Sequence, residues 1–100
     1  MKSSPAHNLC TETLKLLGDF WNLRIIEALA KEDLRFCALQ RDLDNVNPTT
    51  LTKKLYHLEK ANLIKRLETD NGHHVTYALS QRGRNSLPVL AAIKEFSQSK

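Results

Sequence analysis

Lysine, threonine and histidine recur along one side of NPTTLTKKLYHLEKANLIKR, which runs from Asn47 to Arg66. Such side chains donate hydrogen bonds and carry positive charge. Their chemistry is the capture of a polyanion and of polar base edges, not the making of a covalent bond. From Pro48 to Arg66 the cations are Lys53, Lys54, Lys60, Lys65 and Arg66, against a single acid, Glu59. At about 100° per residue, Leu51, Leu55 and Leu58 fall on one narrow stripe. Thr49, Lys53, Tyr56, His57 and Lys60 fall opposite, with Thr50 and Lys54 on one flank and Glu59 beside the stripe. A helix patterned this way packs by its leucines and offers donors outward. Its bland counterpart is an ordinary amphipathic helix whose polar face meets only water.

Other residues are candidates for other chemistries. His73 and His74 are adjacent; in a strand they point to opposite faces, so they cannot readily grip one ion. No cysteine or carboxylate stands at ligand spacing, so no metal is expected, and a phosphate contact suits them better. Cys10 and Cys37 both fall near expected helix starts, where a thiol loses its proton more easily. Two cysteines make neither a disulfide framework nor a structural zinc site, and free cysteine is ordinarily a small buried apolar residue. Glu27, Glu32 and Asp33 have no nucleophile to serve, and neither cysteine has a recognisable base, so no enzyme is expected. Three glycines in all cannot form a phosphate-cradling loop, and no cofactor is called for. Phe20, Trp21 and Phe36 are expected in the core.

The elements that must position the cationic face read as follows. Residues 1–9 suggest a loose arm. A short helix fits Thr11 to Leu17 and stops at Gly18. Asp19 can cap a second helix, FWNLRIIEALAK, with Trp21, Ile25, Ala28 and Leu29 on its apolar stripe. EDLRF turns the chain, and a third helix fits Ala38 to Leu43. DNVN is a loop, and Pro48 suits the first turn of the leucine-striped helix. Asn62 can take the left-handed conformation after it. Ile64, Leu67, Val75, Tyr77 and Leu79 favour strands around Asn71-Gly72, a strong hairpin signal. Ser80 caps a last helix reaching about Ser97, kinked by Pro88. The fold class is mostly α with a small β-hairpin wing (α+β), a winged helix-turn-helix. Its second helix is of a width to enter the major groove of DNA.

The 100 residues make one domain, taken as 10–100, with 41% hydrophobic and 26% charged residues. Net charge is +4, an excess that suits nucleic acid. No apolar run approaches the roughly 18 residues of a membrane span, and MKSSPAHNL is not a signal peptide. The expectation is a cytoplasmic protein with no membrane partner.

LCTETLKLLGDFWNLRIIEAL, LRFCALQRDL, TTLTKKLYHLEKANLIKR and VTYALSQRGRNSLPVL stand in the order and spacing of the HxlR family of small winged-helix transcription regulators. The chain resembles that family from about Cys10 to Phe96. The resemblance implies a homodimer on a pseudo-palindromic operator, a recognition helix starting near Pro48, and a wing around Asn71-Gly72. It implies a dimer interface from the first and last helices, near Cys10–Leu17 and Gln81–Ser97. It also implies a sensing cysteine at the place of Cys10, which some members use against electrophiles or oxidants. The sequence departs from the pattern at Thr11, where Pro is usual; at GDFW for GGKW; at Cys37-Ala38 for Ser-Glu; and at Asn62 for Gly. The wing turn lacks the usual prolines.

The function expected is therefore sequence-specific binding of double-stranded DNA by a homodimeric transcription regulator. The DNA-binding candidates are Thr49, Thr50, Lys53, Lys54, His57, Lys65, Arg66, His73 and His74, with Cys10 as the redox candidate; the sequence leaves open whether a small-molecule effector, an oxidant or nothing is sensed. The alternative is a winged-helix protein-interaction module without DNA readout. That reading wants an apolar or acidic face on the second helix, where this chain places Thr49, Lys53, His57 and Lys60.

Overall fold

The computed structural model describes residues 5–69, 71–72 and 74–99, and of residues 5–10 the backbone alone. In chain order the elements are α1 (Pro5–Leu17), α2 (Phe20–Lys31), β1 (Leu34–Arg35), α3 (Phe36–Asp42), α4 (Pro48–Lys60), β2 (Ile64–Thr69), β3 (His74–Leu79), α5 (Gln81–Asn85) and α6 (Leu87–Gln98). The three strands form one antiparallel sheet in the order β1-β3-β2.

Local chemistry sets most of the boundaries. Asp19 caps α2, its carboxylate accepting the N–H of Asn22 at 3.0 Å. Asn62 ends α4 at φ 64°, and Asn71-Gly72 takes φ 56° and 87°, the pair of left-handed residues that a tight hairpin needs. Ser80 caps α5 by accepting the N–H of Gly83. Gly83 is required there, because a Cβ would stand 2.1 Å from the Leu63 carbonyl oxygen.

The core is a single cluster. Ile25, Ile26 and Leu29 of α2 meet Leu39 and Leu43, then Leu51, Leu55 and Leu58 of α4, then Leu63, Ile64 and Leu79 at the base of the hairpin. Trp21, Phe36 and Tyr77 pack against it, half-buried.

Four features differ from the sequence-based expectation. α1 reaches back to Pro5, across residues read as an arm. EDLRF does more than turn the chain: Leu34 and Arg35 pair with Tyr77 and Thr76 and add a third strand. The last helix is two. Ser86 closes α5, and Pro88 lies in the first turn of α6 rather than kinking one long helix. Phe20 is not core; it is exposed, with its ring edge-on to Trp21 and the Arg24 guanidinium 5.5 Å from its centre.

Candidate nucleic-acid interface

α3, the Leu43–Asn47 turn and α4 form the helix-turn-helix. Asp44 and Asn45 both take left-handed backbone, at φ 59° and 58°, which Asp and Asn tolerate better than most residues. The Gln40 carbonyl oxygen accepts the Asn45 N–H at 2.8 Å, and its side-chain amide donates to the Val46 carbonyl oxygen at 2.9 Å. From α2, Arg24 donates to the Asp42 carbonyl oxygen at 3.2 Å and lies 4.0 Å from Asp44. The turn is thus held from both sides.

α4 is held at its start, middle and end. Asn47 Oδ1 accepts the N–H groups of Thr49 and Thr50, at 2.8 and 3.4 Å. Lys54 Nζ donates to Asp19 Oδ2 at 2.6 Å, both side chains being about three-quarters buried, with relative exposures of 26% and 27%. At the end, Arg82 Nε donates to the Ala61 carbonyl oxygen at 3.0 Å and Ser80 Oγ to that of Asn62 at 2.5 Å. Burial raises the Asp19 carboxyl, but the hydrogen bonds from Lys54 and Asn22 and the Lys54 charge outweigh it and hold Asp19 below its ordinary value. Between these anchors Leu51, Leu55 and Leu58 are buried at 1%, 2% and 0% exposure.

The outward face follows from this clamping. Thr49, Thr52, Lys53, Tyr56, His57, Glu59 and Lys60 are exposed, and the first turn holds no acid. Lys53 and Lys65 make no ion pair among the described residues. Thr50 is half-buried. His57 stands edge-on to the Tyr56 ring, centroids 5.7 Å apart.

The wing places its candidates differently. Strand alternation sends Lys65 and Arg66 to opposite faces. Arg66 lies across from Tyr77, on the side that becomes the core, and bonds to Glu68. That carboxylate, and then Tyr77, hold its guanidinium pKa above the ordinary value. His74 Nδ1 lies 2.6 Å from Arg35 Nη2, so it accepts from the guanidinium, which places the neutral ring's proton on Nε2. His73 lies outside the described residues, and so does the side chain of Cys10. Cys37 is exposed in the first turn of α3, not the buried apolar residue expected.

Sequence reasoning thus named Lys54 for its charge and missed its partner, because Asp19 is 35 residues away. It also passed over Arg82 and Ser80 as anchors of α4. Ser80 was visible only as a cap, and nothing local marks Arg82.

A two-helix unit with its second helix clamped and cationic outward, followed by a paired hairpin, defines a winged helix-turn-helix. The chain belongs to the HxlR family: the family model described as HxlR-like helix-turn-helix matches residues 16–100. It is similar to an uncharacterised HTH-type transcriptional regulator of Halalkalibacterium halodurans, 34% identical over 86 residues, covering 84% of this chain and 76% of that one. A second such regulator, from Methanothermobacter thermautotrophicus, is 28% identical over 82% of this chain and 63% of its own length. The reduced form of the transcriptional regulator YodB from B. subtilis has the same fold, with a TM-score of 0.81 over 96% of this chain and 92% of that one, at 22% identity. YodB has also been solved diamide-treated and quinone-bound. The protein is a DNA-binding transcription regulator of the helix-turn-helix type. Among the described residues no helix is long and apolar enough to cross a membrane, and no group of three or more metal-ligating side chains is present.

Proposed function

We propose that the protein is a cytoplasmic homodimer that reads a pseudo-palindromic operator by inserting α4 into the major groove. The observation that carries this is the outward face of α4. Thr49 and Lys53 project from a helix clamped at three places, with no acid in its first turn. Residues at the start of such a helix reach base edges. His57 borders the same face, Thr50 and Lys54 support it from the flank, and Lys65 on the wing meets phosphate. His73, His74 and Arg66 are assigned to the neighbouring backbone, with Arg66 limited by Glu68.

Selection of bound duplexes from random DNA, followed by affinity measurements across salt, tests this. Lys53→Ala should lose specific binding more than non-specific binding. Equal losses on operator and scrambled DNA would remove its base-reading role, and failure of the wild type to select any sequence would favour the protein-interaction module.

Dimerisation follows from what α1 and α6 leave uncovered. Leu14 is 68% exposed, Phe96 81%, and Val89 and Ile93 about two-fifths. α6 buries none of its residues within the chain. Apolar stripes of this kind mark an interface, and a two-fold dimer is the commonest closed solution. Replacing Ile93 and Phe96 with Asp should give folded monomers in sedimentation; a monomeric wild type at micromolar concentration would sink the dimer.

The redox proposal rests on the family place of Cys10 and on the diamide-treated and quinone-bound forms of YodB. Cys10 falls in α1, at that interface, so its modification would shift the two recognition helices relative to each other. After diamide or quinone, operator affinity should fall for wild type and Cys37→Ser but not for Cys10→Ser. No change in any of the three would end the proposal.

A further inference from the structure

Tyr56 is the residue on the outward face of α4 that capture of phosphate does not explain. Every other exposed side chain of the helix from Thr49 onward is polar or charged without an aromatic carbon ring. Tyr56 is 56% exposed, and no described part of the chain covers it. It is also held in place. His57 packs edge-on against its ring at 5.7 Å between centroids and 61° between planes, and the Lys60 ammonium lies 5.6 Å from the ring centre. A ring braced by two neighbours loses little further freedom on binding.

Its position on the helix decides what it can meet. Thr49, Lys53, Tyr56 and Lys60 follow one another at intervals of four, three and four residues, so they form one outward strip. Tyr56 stands seven residues after Thr49, about 10 Å along the axis at 1.5 Å per residue. That distance is roughly three base-pair steps of about 3.4 Å. A helix lying in the groove with Thr49 and Lys53 at base edges therefore keeps Tyr56 inside the groove. Phosphates and polar base edges need donors, which Lys53 and Lys60 already supply on either side. The apolar body of a tyrosine needs an apolar partner. Among base edges in the major groove, the apolar group is the C5-methyl of thymine.

We infer that Tyr56 is a specificity-determining residue whose ring packs on the C5-methyl of a thymine in the operator. This rests on the reading that α4 enters the major groove. The test replaces each thymine of an operator selected by the wild type, one at a time, with deoxyuridine, which keeps base pairing and lacks the methyl. At one fixed operator position the wild type should lose affinity about three- to tenfold, the scale of one buried methyl group. Tyr56→Phe should keep that loss, because only the hydroxyl is gone. Tyr56→Ala should bind the thymine and deoxyuridine operators equally, while Lys53→Ala, weaker overall, should still tell them apart. Methyl dependence that survives in Tyr56→Ala at every thymine overturns the inference, as does a wild type indifferent to every methyl of an operator it selects. A wild type that selects no operator instead overturns the groove-binding reading on which the inference rests. Circular dichroism on Tyr56→Ala checks that this exposed substitution leaves the fold intact.

Discussion

α4 and the β2–β3 wing are the two elements proposed to touch DNA, and they are built on opposite plans. α4 is clamped at its start by Asn47, at its middle by Asp19 and at its end by Arg82 and Ser80, over a buried leucine stripe. The wing is buried at its base, at Ile64, Ala78 and Leu79, and further out β3 is braced by β1 and by Tyr77 against the core; from Lys65 to Thr69 every residue of β2 is exposed. Charge follows the same division. α4 spends one lysine, Lys54, on its own anchoring and leaves Lys53 outward. The wing pairs Arg66 with Glu68 and joins His74 to Arg35. On the proposed reading, orientation and base reading therefore belong to the helix, and the wing retains Lys65 as its outward cation among the described residues.

The sharpest way to break this contrast is to remove a leucine from each element. Leu58→Ala should destabilise the fold by about 2–5 kcal/mol, the usual result of emptying a fully buried site. Leu67→Ala, at 41% exposure, should change stability by no more than about 0.5 kcal/mol. Urea denaturation of the two variants decides it; similar midpoints would mean the wing is as tightly packed as the helix.

The next test concerns charge on the wing. Read from sequence, Lys65 and Arg66 look equivalent, two cations past the recognition helix. The register separates them, with Lys65 opposite Ala78 and Arg66 opposite Tyr77. Lys65→Ala should weaken operator and scrambled DNA alike by a few-fold and reduce the salt slope by about one. Arg66→Ala should do less, because Glu68 already holds its charge. Glu68→Gln should tighten non-specific binding by releasing Arg66. If Arg66→Ala is instead the costlier change, the ion pair opens on DNA and the wing contributes more charge than the free chain offers.

What could be read from sequence was whatever one residue and its near neighbours decide. Asp19 and Ser80 are caps, Asn62 ends a helix, Asn71-Gly72 turns a hairpin, and leucines at helical spacing face inward. Each rests on backbone geometry or periodicity within a few residues. What escaped depends on parts of the chain far apart. β1 is a strand only because β3 lies beside it, and two residues cannot announce a strand alone. Lys54 reads as a flanking cation free for DNA until Asp19 is brought to it. Phe20 reads as core by type, yet α2 turns Ile25, Ile26 and Leu29 inward and leaves Phe20 against Arg24 at the surface.

The smallest expected effect lies in the Lys54–Asp19 link, and it shows whether charge or shape holds the middle of α4. Asp19 has two roles, capping α2 and holding Lys54. Asp19→Asn keeps the cap, since asparagine caps as well as aspartate, and removes only the charge. The folded chain holds the Asp19 carboxyl below its ordinary value of 3.8. Its contribution is therefore fully present above that value and fades as pH falls through 3.8 and then through the lower folded value. At neutral pH, Asp19→Asn should be less stable than wild type by no more than about 1 kcal/mol, because both partners keep partial contact with water. Below pH 3.8 the gap should narrow. The matching change on the wing, Glu68→Gln, should cost less stability still at neutral pH, its pair being more exposed. Urea midpoints for the three proteins at neutral and acid pH settle the matter. A gap for Asp19→Asn that is the same at both pH values would mean that the carboxylate acts through its hydrogen-bond geometry, and that the clamp on the recognition helix does not depend on charge.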